Sequence, residues 1–127
     1  MARKILIAED SATMRALIVS TLSAAGDYDI IEAANGFEAL RILPREKVDL
    51  VITDINMPDI NGLELVSFVK NNPNYSDTPL IIISTEGSEK DRNKGLALGA
   101  DAYLVKPFAP EELQTLVRRY FEQGEQP

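Results

Sequence analysis

Five short apolar runs recur along the chain, at Ile5–Ala8, Ile30–Ala34, Leu50–Ile52, Leu80–Ile83 and Ala102–Val105, and a segment with helical spacing follows each. The first, third and fourth runs lack polar alternation, which is how strands buried on both faces read. After the first run, Met14, Leu17, Ile18, Thr21, Leu22 and Ala25 follow the i, i+3, i+4 pattern, with Ser11 as a cap before them and Gly26 as a stop after. Ala39, Ile42 and Leu43 end at Pro44, and Leu65, Val66 and Val69 sit between Gly62 and Pro73. Leu113, Leu116, Val117, Tyr120 and Phe121 follow Pro110, a residue that suits a first helical turn. The stretch from Ser88 to Leu98 differs, being charged with few apolar anchors, so the spacing predicts a weakly held helix there.

Strict strand–helix alternation implies an α/β fold, because right-handed crossovers place helices on both faces of a parallel sheet. The expected architecture is a single doubly wound, five-stranded parallel sheet, flavodoxin-like, with strand order 2-1-3-4-5. The 127 residues, 45 % of them apolar, suffice for one core. Internal repeats, low-complexity runs and linkers are absent from the sequence.

Composition then removes whole classes of chemistry. The chain contains no cysteine and no histidine, so disulfide scaffolds, thiolate metal sites, Ser-His-Asp hydrolysis and phosphohistidine carriage are excluded. The net charge of −7 opposes nucleic acid and anionic membrane surfaces. No apolar run approaches the roughly 18 residues that span a bilayer, and the N-terminal run is too short for a signal peptide, so a cytoplasmic location is expected.

In open α/β sheets, sites form beyond the carboxyl ends of the strands, above all where the strand order reverses. The first strand leads into Glu9-Asp10, the third into Thr53-Asp54, the fourth into Ser84-Thr85 and the fifth into Lys106-Pro107. The first and third flank the expected switch point, so Glu9, Asp10 and Asp54 should meet there. Three clustered carboxylates repel unless one protonates or a cation sits among them. Oxygen ligands without His or Cys specify a hard ion, and a site with few protein ligands suits Mg²⁺ better than Ca²⁺. Lys106 adds a positive charge and Ser84 a hydroxyl donor, a set suited to a tetrahedral oxyanion. The chemistry this points to is phosphoryl transfer to a carboxylate. Asp54, alone at its strand end, is the better nucleophile, and the adjacent Glu9 and Asp10 suit a metal.

The segments ILIAEDS, ITDINMPDINGLEL around Asp54, IIISTEGS and ADAYLVKPF, in this order, resemble the receiver domain of bacterial two-component response regulators, particularly the stand-alone chemotaxis type. The resemblance implies a receiver domain over residues 1–122 with a flexible tail over 123–127. It implies that Asp54 accepts a phosphoryl group from a sensor histidine kinase. Mg²⁺ would be bound by Asp10, Asp54 and the backbone carbonyl of Asn56, with Glu9 acting through water. Lys106 would hold the phosphoryl group, Ser84 would shift to contact it, and Tyr103 would turn inward when Ser84 moves. The neighbouring Thr85 offers a second hydroxyl, and the spacing to Lys106 favours Ser84. The Lys106-Pro107 bond would be cis, and Asn56 and Glu86 would tune dephosphorylation toward a short-lived phosphoform. Output would pass to a downstream target protein through the face made by the fourth helix, fifth strand and fifth helix, from a monomer or a transient dimer.

Other readings share parts of this pattern. A receiver can serve as a phosphate sink, or be a piece excised from a longer transcriptional regulator. A phosphatase of the haloacid dehalogenase type also uses an Asp after a parallel strand, but needs a second Asp two residues on, where this chain has Asn56. The chain is therefore expected not to be an enzyme beyond self-phosphorylation from phosphodonors and autodephosphorylation.

Overall fold

A computed structural model of the chain describes residues 2–85 and 89–125. The elements alternate as β1 (Arg3–Ala8), α1 (Ala12–Ser23), β2 (Tyr28–Ala33), α2 (Gly36–Ile42), β3 (Leu50–Thr53), α3 (Gly62–Asn71), β4 (Leu80–Ser84), α4 (Glu89–Ala97), β5 (Ala102–Val105) and α5 (Pro110–Glu125). The strands form one parallel sheet in the order β2-β1-β3-β4-β5. The expected architecture and strand order are both present.

Period-two alternation along buried strands supplies two cores at once. Ile5, Ile7, Ile52, Ile81 and Ile83 face Ile18 and Leu22 of α1 and Leu113, Val117 and Phe121 of α5. Leu6, Ala8, Val51 and Ile82 face the other way, against Ala39 of α2 and Leu65, Val66 and Val69 of α3. β3 and β4 are buried along their whole length, as continuous apolar runs require.

Local signals set the helix starts. The Ser11 side chain accepts the Met14 N–H at 3.2 Å, and Asn61 and Glu64 form a reciprocal capping box that opens α3. α1 ends at Ser23, earlier than the apolar spacing through Ala25 suggests, because the turn before Gly26 begins at the Ala24 cap. α5 runs to Glu125, past the boundary drawn at residue 122; no proline interrupts it before the chain's last residue, and it continues through Gly124 although glycine favours helix least of all but proline. The rest of the proposed tail, Gln126 and Pro127, lies outside the described residues.

α4 is the lightly attached helix. Gly95 is its single buried residue, and a Cβ there would lie 2.6 Å from Ile82 Cδ1, so the bare backbone is what lets α4 approach the sheet.

The register delivers the polar residues to one rim. Ala8 and Thr53 are paired between β1 and β3, so the residues that follow, Glu9 and Asp54, leave the sheet side by side. The Asp54 N–H donates to the Ala8 carbonyl at 3.1 Å, which fixes that exit. Behind it, the start of α3 presses on the same backbone: a Cβ on Gly62 would stand 2.0 Å from the Asp54 carbonyl oxygen, backbone with no means of yielding. Gly62→Ala is therefore expected to destabilise the chain by about 1–3 kcal/mol through overpacking, read from urea unfolding. An unchanged midpoint would contradict the close approach.

Candidate functional site

Glu9 and Asp54 are buried, at 1 % and 8 % exposure, while Asp10 faces solvent. One carboxylate oxygen from each of the three lies within 4.8 Å of the others, a spacing fit for a shared cation. The donors are all oxygen, so the cluster suits a hard divalent ion. Opposite them, Lys106 Nζ donates to Glu9 Oε1 at 2.7 Å and stands 3.6 Å from Asp54 Oδ2. Three carboxylates against one ammonium leave an excess of negative charge in a cluster whose Glu9 and Asp54 are buried.

Each oxygen of the buried acids has a distinct position. Asp54 Oδ1 accepts the Ile55 N–H at 2.8 Å, whereas Oδ2 is the atom on the Lys106 side. Glu9 uses both of its oxygens within the protein, Oε1 for Lys106 and Oε2 for the Ser11 N–H at 3.1 Å. Burial pushes the Glu9 carboxyl above the ordinary glutamate range; Lys106 and the Ser11 N–H oppose that shift, and the Asp54 charge adds to it.

The other residues singled out in the sequence stand around this centre. Ser84 is fully buried at the end of β4, paired with Val105, and its carbonyl accepts the Lys106 N–H at 2.9 Å. Thr85 is exposed beyond it. The Lys106–Pro107 peptide bond is cis. Asn56 is exposed at the start of the loop from β3 to α3, where Gly62 N–H and Met57 N–H both donate to the Ile55 carbonyl. Tyr103 is half-buried on β5, packed on the same side of the sheet as α3. Glu86 lies outside the described residues.

Two contributors were not legible from motif spacing. Thr53 Oγ1 donates to the Asp54 carbonyl at 2.9 Å, and Arg15 Nη1 donates to the Glu9 carbonyl at 2.7 Å. Both bind backbone oxygens, which no pattern of side-chain types reveals. The nearest available signal for Arg15 is a basic residue one turn into the helix that the acidic pair opens.

The folded chain holds a proton on Glu9 that the unfolded chain releases at lower pH, so stability from this group is present in acid and lost as pH rises through the folded value. In EDTA, the stability of the native chain relative to Glu9→Gln is expected to fall as pH is raised above about 4.3, measured by urea unfolding. A difference that grows with pH would reverse the assignment.

Among the described residues, no helix is long and apolar enough to cross a membrane. The family model for the response regulator receiver domain matches residues 5–118. A chemotaxis protein CheY homolog of Campylobacter jejuni is 44 % identical over 112 residues, covering 87 % of this chain and 86 % of that protein. The structure of the chemotaxis response regulator CheY4 of Vibrio cholerae superposes with a TM-score of 0.86 at 38 % identity, covering 94 % of this chain and 99 % of that one. The receiver domain of the sensor histidine kinase PA1611 from Pseudomonas aeruginosa, with a magnesium ion coordinated in its active site cleft, superposes with a TM-score of 0.87 at 27 % identity, covering 96 % and 99 %. With the family model matching residues 5–118 and a relative 44 % identical over most of both chains, the chain belongs to the response regulator receiver domain family, phosphorylation-activated switches of two-component signalling.

Proposed function

We propose that Asp54 accepts a phosphoryl group from a sensor histidine kinase, with Mg²⁺ held by Asp10, Asp54 and the Asn56 carbonyl, in a chemotaxis-like pathway. The observation that carries this reading is the placement of Asp54 Oδ2 3.6 Å from Lys106 Nζ, inside an acidic cluster otherwise short of positive charge. Oδ2 attacks phosphorus as the bond from phosphorus to the donor nitrogen breaks, and the departing imidazole keeps its electron pair. When bound, the metal offsets charge on the phosphoryl oxygens. Lys106 exchanges part of its hold on Glu9 for the arriving oxygens, and the buried Ser84 supplies a hydroxyl from the β4 side. The occupancy of both Glu9 oxygens within the protein favours Glu9 acting on the metal through water. Because the chain has no histidine, the donor is another protein or a small acyl phosphate.

Phosphorylation adds about 1.5 to 2 negative charges at Asp54. Drawing Ser84 toward them would free space for Tyr103 and shift populations of the lightly attached α4. A groove of about 660 Å³ between α4, β5 and α5, lined by Leu96, Tyr103, Leu104 and Arg119 among others, supports this face as the one that a downstream protein reads. A neutral amide at Asn56, where a haloacid dehalogenase-type phosphatase needs its second acid, favours a switch over a turnover enzyme.

The test is incubation with acetyl phosphate and Mg²⁺ followed by intact mass. Gain of one phosphoryl group is expected in the native chain and none in Asp54→Asn, while Lys106→Ala slows the gain by about 10²-fold. The label is expected to be lost spontaneously, and a half-life of many hours would contradict the tuning role of Asn56 and Glu86. An undiminished label in Asp54→Asn would place the acceptor elsewhere.

A further inference from the structure

Arg15 occupies a position that helix stability does not favour. A cation one turn from a helix N-terminus opposes the macrodipole, yet Arg15 sits there in α1, with only 19 % of its side chain exposed. Its guanidinium is committed in two directions. Nη1 donates to the Glu9 carbonyl at 2.7 Å, and Nε donates to Glu32 Oε1 at 3.1 Å, on β2. The other side of Glu9 is tied to the same strand, since its N–H donates to the Ala33 carbonyl at 3.0 Å. Glu9 is thus held at its N–H by β2, at its carbonyl by Arg15 and at its carboxylate by Lys106 and Ser11.

The Glu9 carbonyl belongs to the peptide plane shared with Asp10. Fixing that oxygen fixes the plane, and so fixes the direction in which Asp10 leaves the backbone. Unlike Glu9 and Asp54, Asp10 is not held in place by burial. We propose that Arg15 is a positioning residue for the divalent-cation site, holding the Glu9–Asp10 peptide so that Asp10 meets Asp54, with Glu32 in turn holding Arg15. The inference rests on the reading of the acidic cluster as a metal site.

Two effects of opposite sign make the test decisive. Removing a cation near a divalent ion raises affinity by simple electrostatics, whereas losing a support behind a ligand lowers it, typically by 10–100-fold. Mg²⁺ is titrated calorimetrically into the full chain and into Arg15→Ala, Arg15→Lys and Glu32→Gln. Arg15→Ala is expected to bind about tenfold more weakly. Arg15→Lys, which keeps the charge but cannot fork to both oxygens, and Glu32→Gln, a mild change at a half-exposed site, are expected to show smaller losses. Urea unfolding in EDTA shows that each variant is folded. Unchanged or tighter Mg²⁺ binding in Arg15→Ala, with the native chain binding normally, overturns the positioning role. A merely structural Arg15 would lower the metal-free urea midpoint and leave the affinity alone, which also overturns it. Failure of the native chain to bind Mg²⁺ removes the metal reading itself and this proposal with it.

Discussion

Mutual repulsion among Glu9, Asp10 and Asp54 is the constraint around which the carboxyl rim is built. Their oxygens lie within 4.8 Å of one another, and two of the three groups are buried. Left alone, such a cluster would open or protonate. The sheet prevents the first, because Ala8 and Thr53 are paired in register, the acids follow directly from them, and the Asp54 N–H donates to the Ala8 carbonyl. Lys106 offsets part of the charge, at 2.7 Å from Glu9 and 3.6 Å from Asp54. The negative charge that remains unbalanced is what the proposed reading assigns to a hard cation and, once that is bound, to a phosphoryl group.

The rest of the molecule divides between holding that cluster and responding to it. The buried runs of β3 and β4, the Gly62 contact with the Asp54 carbonyl and the capping box of α3 make the holding side stiff. The responding side is α4, joined to the sheet through Gly95 against Ile82, with Leu96 and Val105 exposed beside it. A helix with so little buried side chain has a small free-energy cost of displacement. On the proposed reading, this asymmetry would let a local charge change at Asp54 shift populations on the α4–β5–α5 face without loosening the core.

Much of this was legible in the chain. Uninterrupted apolar runs at Leu50–Ile52 and Leu80–Ile83 identify central strands, and strict alternation fixes which strand ends meet, so the sequence alone brings Glu9, Asp10, Asp54 and Lys106 together. What stayed hidden were relations that depend on backbone atoms. Arg15 and Thr53 act on carbonyl oxygens, and Gly62 acts through a close approach, none of which leaves a periodic trace. The end of α5 was also hidden, because Glu122 and Gln123 fit a helix end and a polar tail equally well.

On the proposed reading, electrostatic stress at the rim is relieved by a divalent cation. The most direct measurement of that relief is thermal unfolding of the native chain, Asp10→Asn and Asp54→Asn across a series of Mg²⁺ concentrations. Without metal, both variants should melt above the native chain, since each removes a repelling charge. With Mg²⁺ the native chain should gain about 2.7 kcal/mol at a hundredfold excess over Kd, while both variants gain little. Equal responses in all three, or none in the native chain, would contradict a cation site formed by these carboxylates.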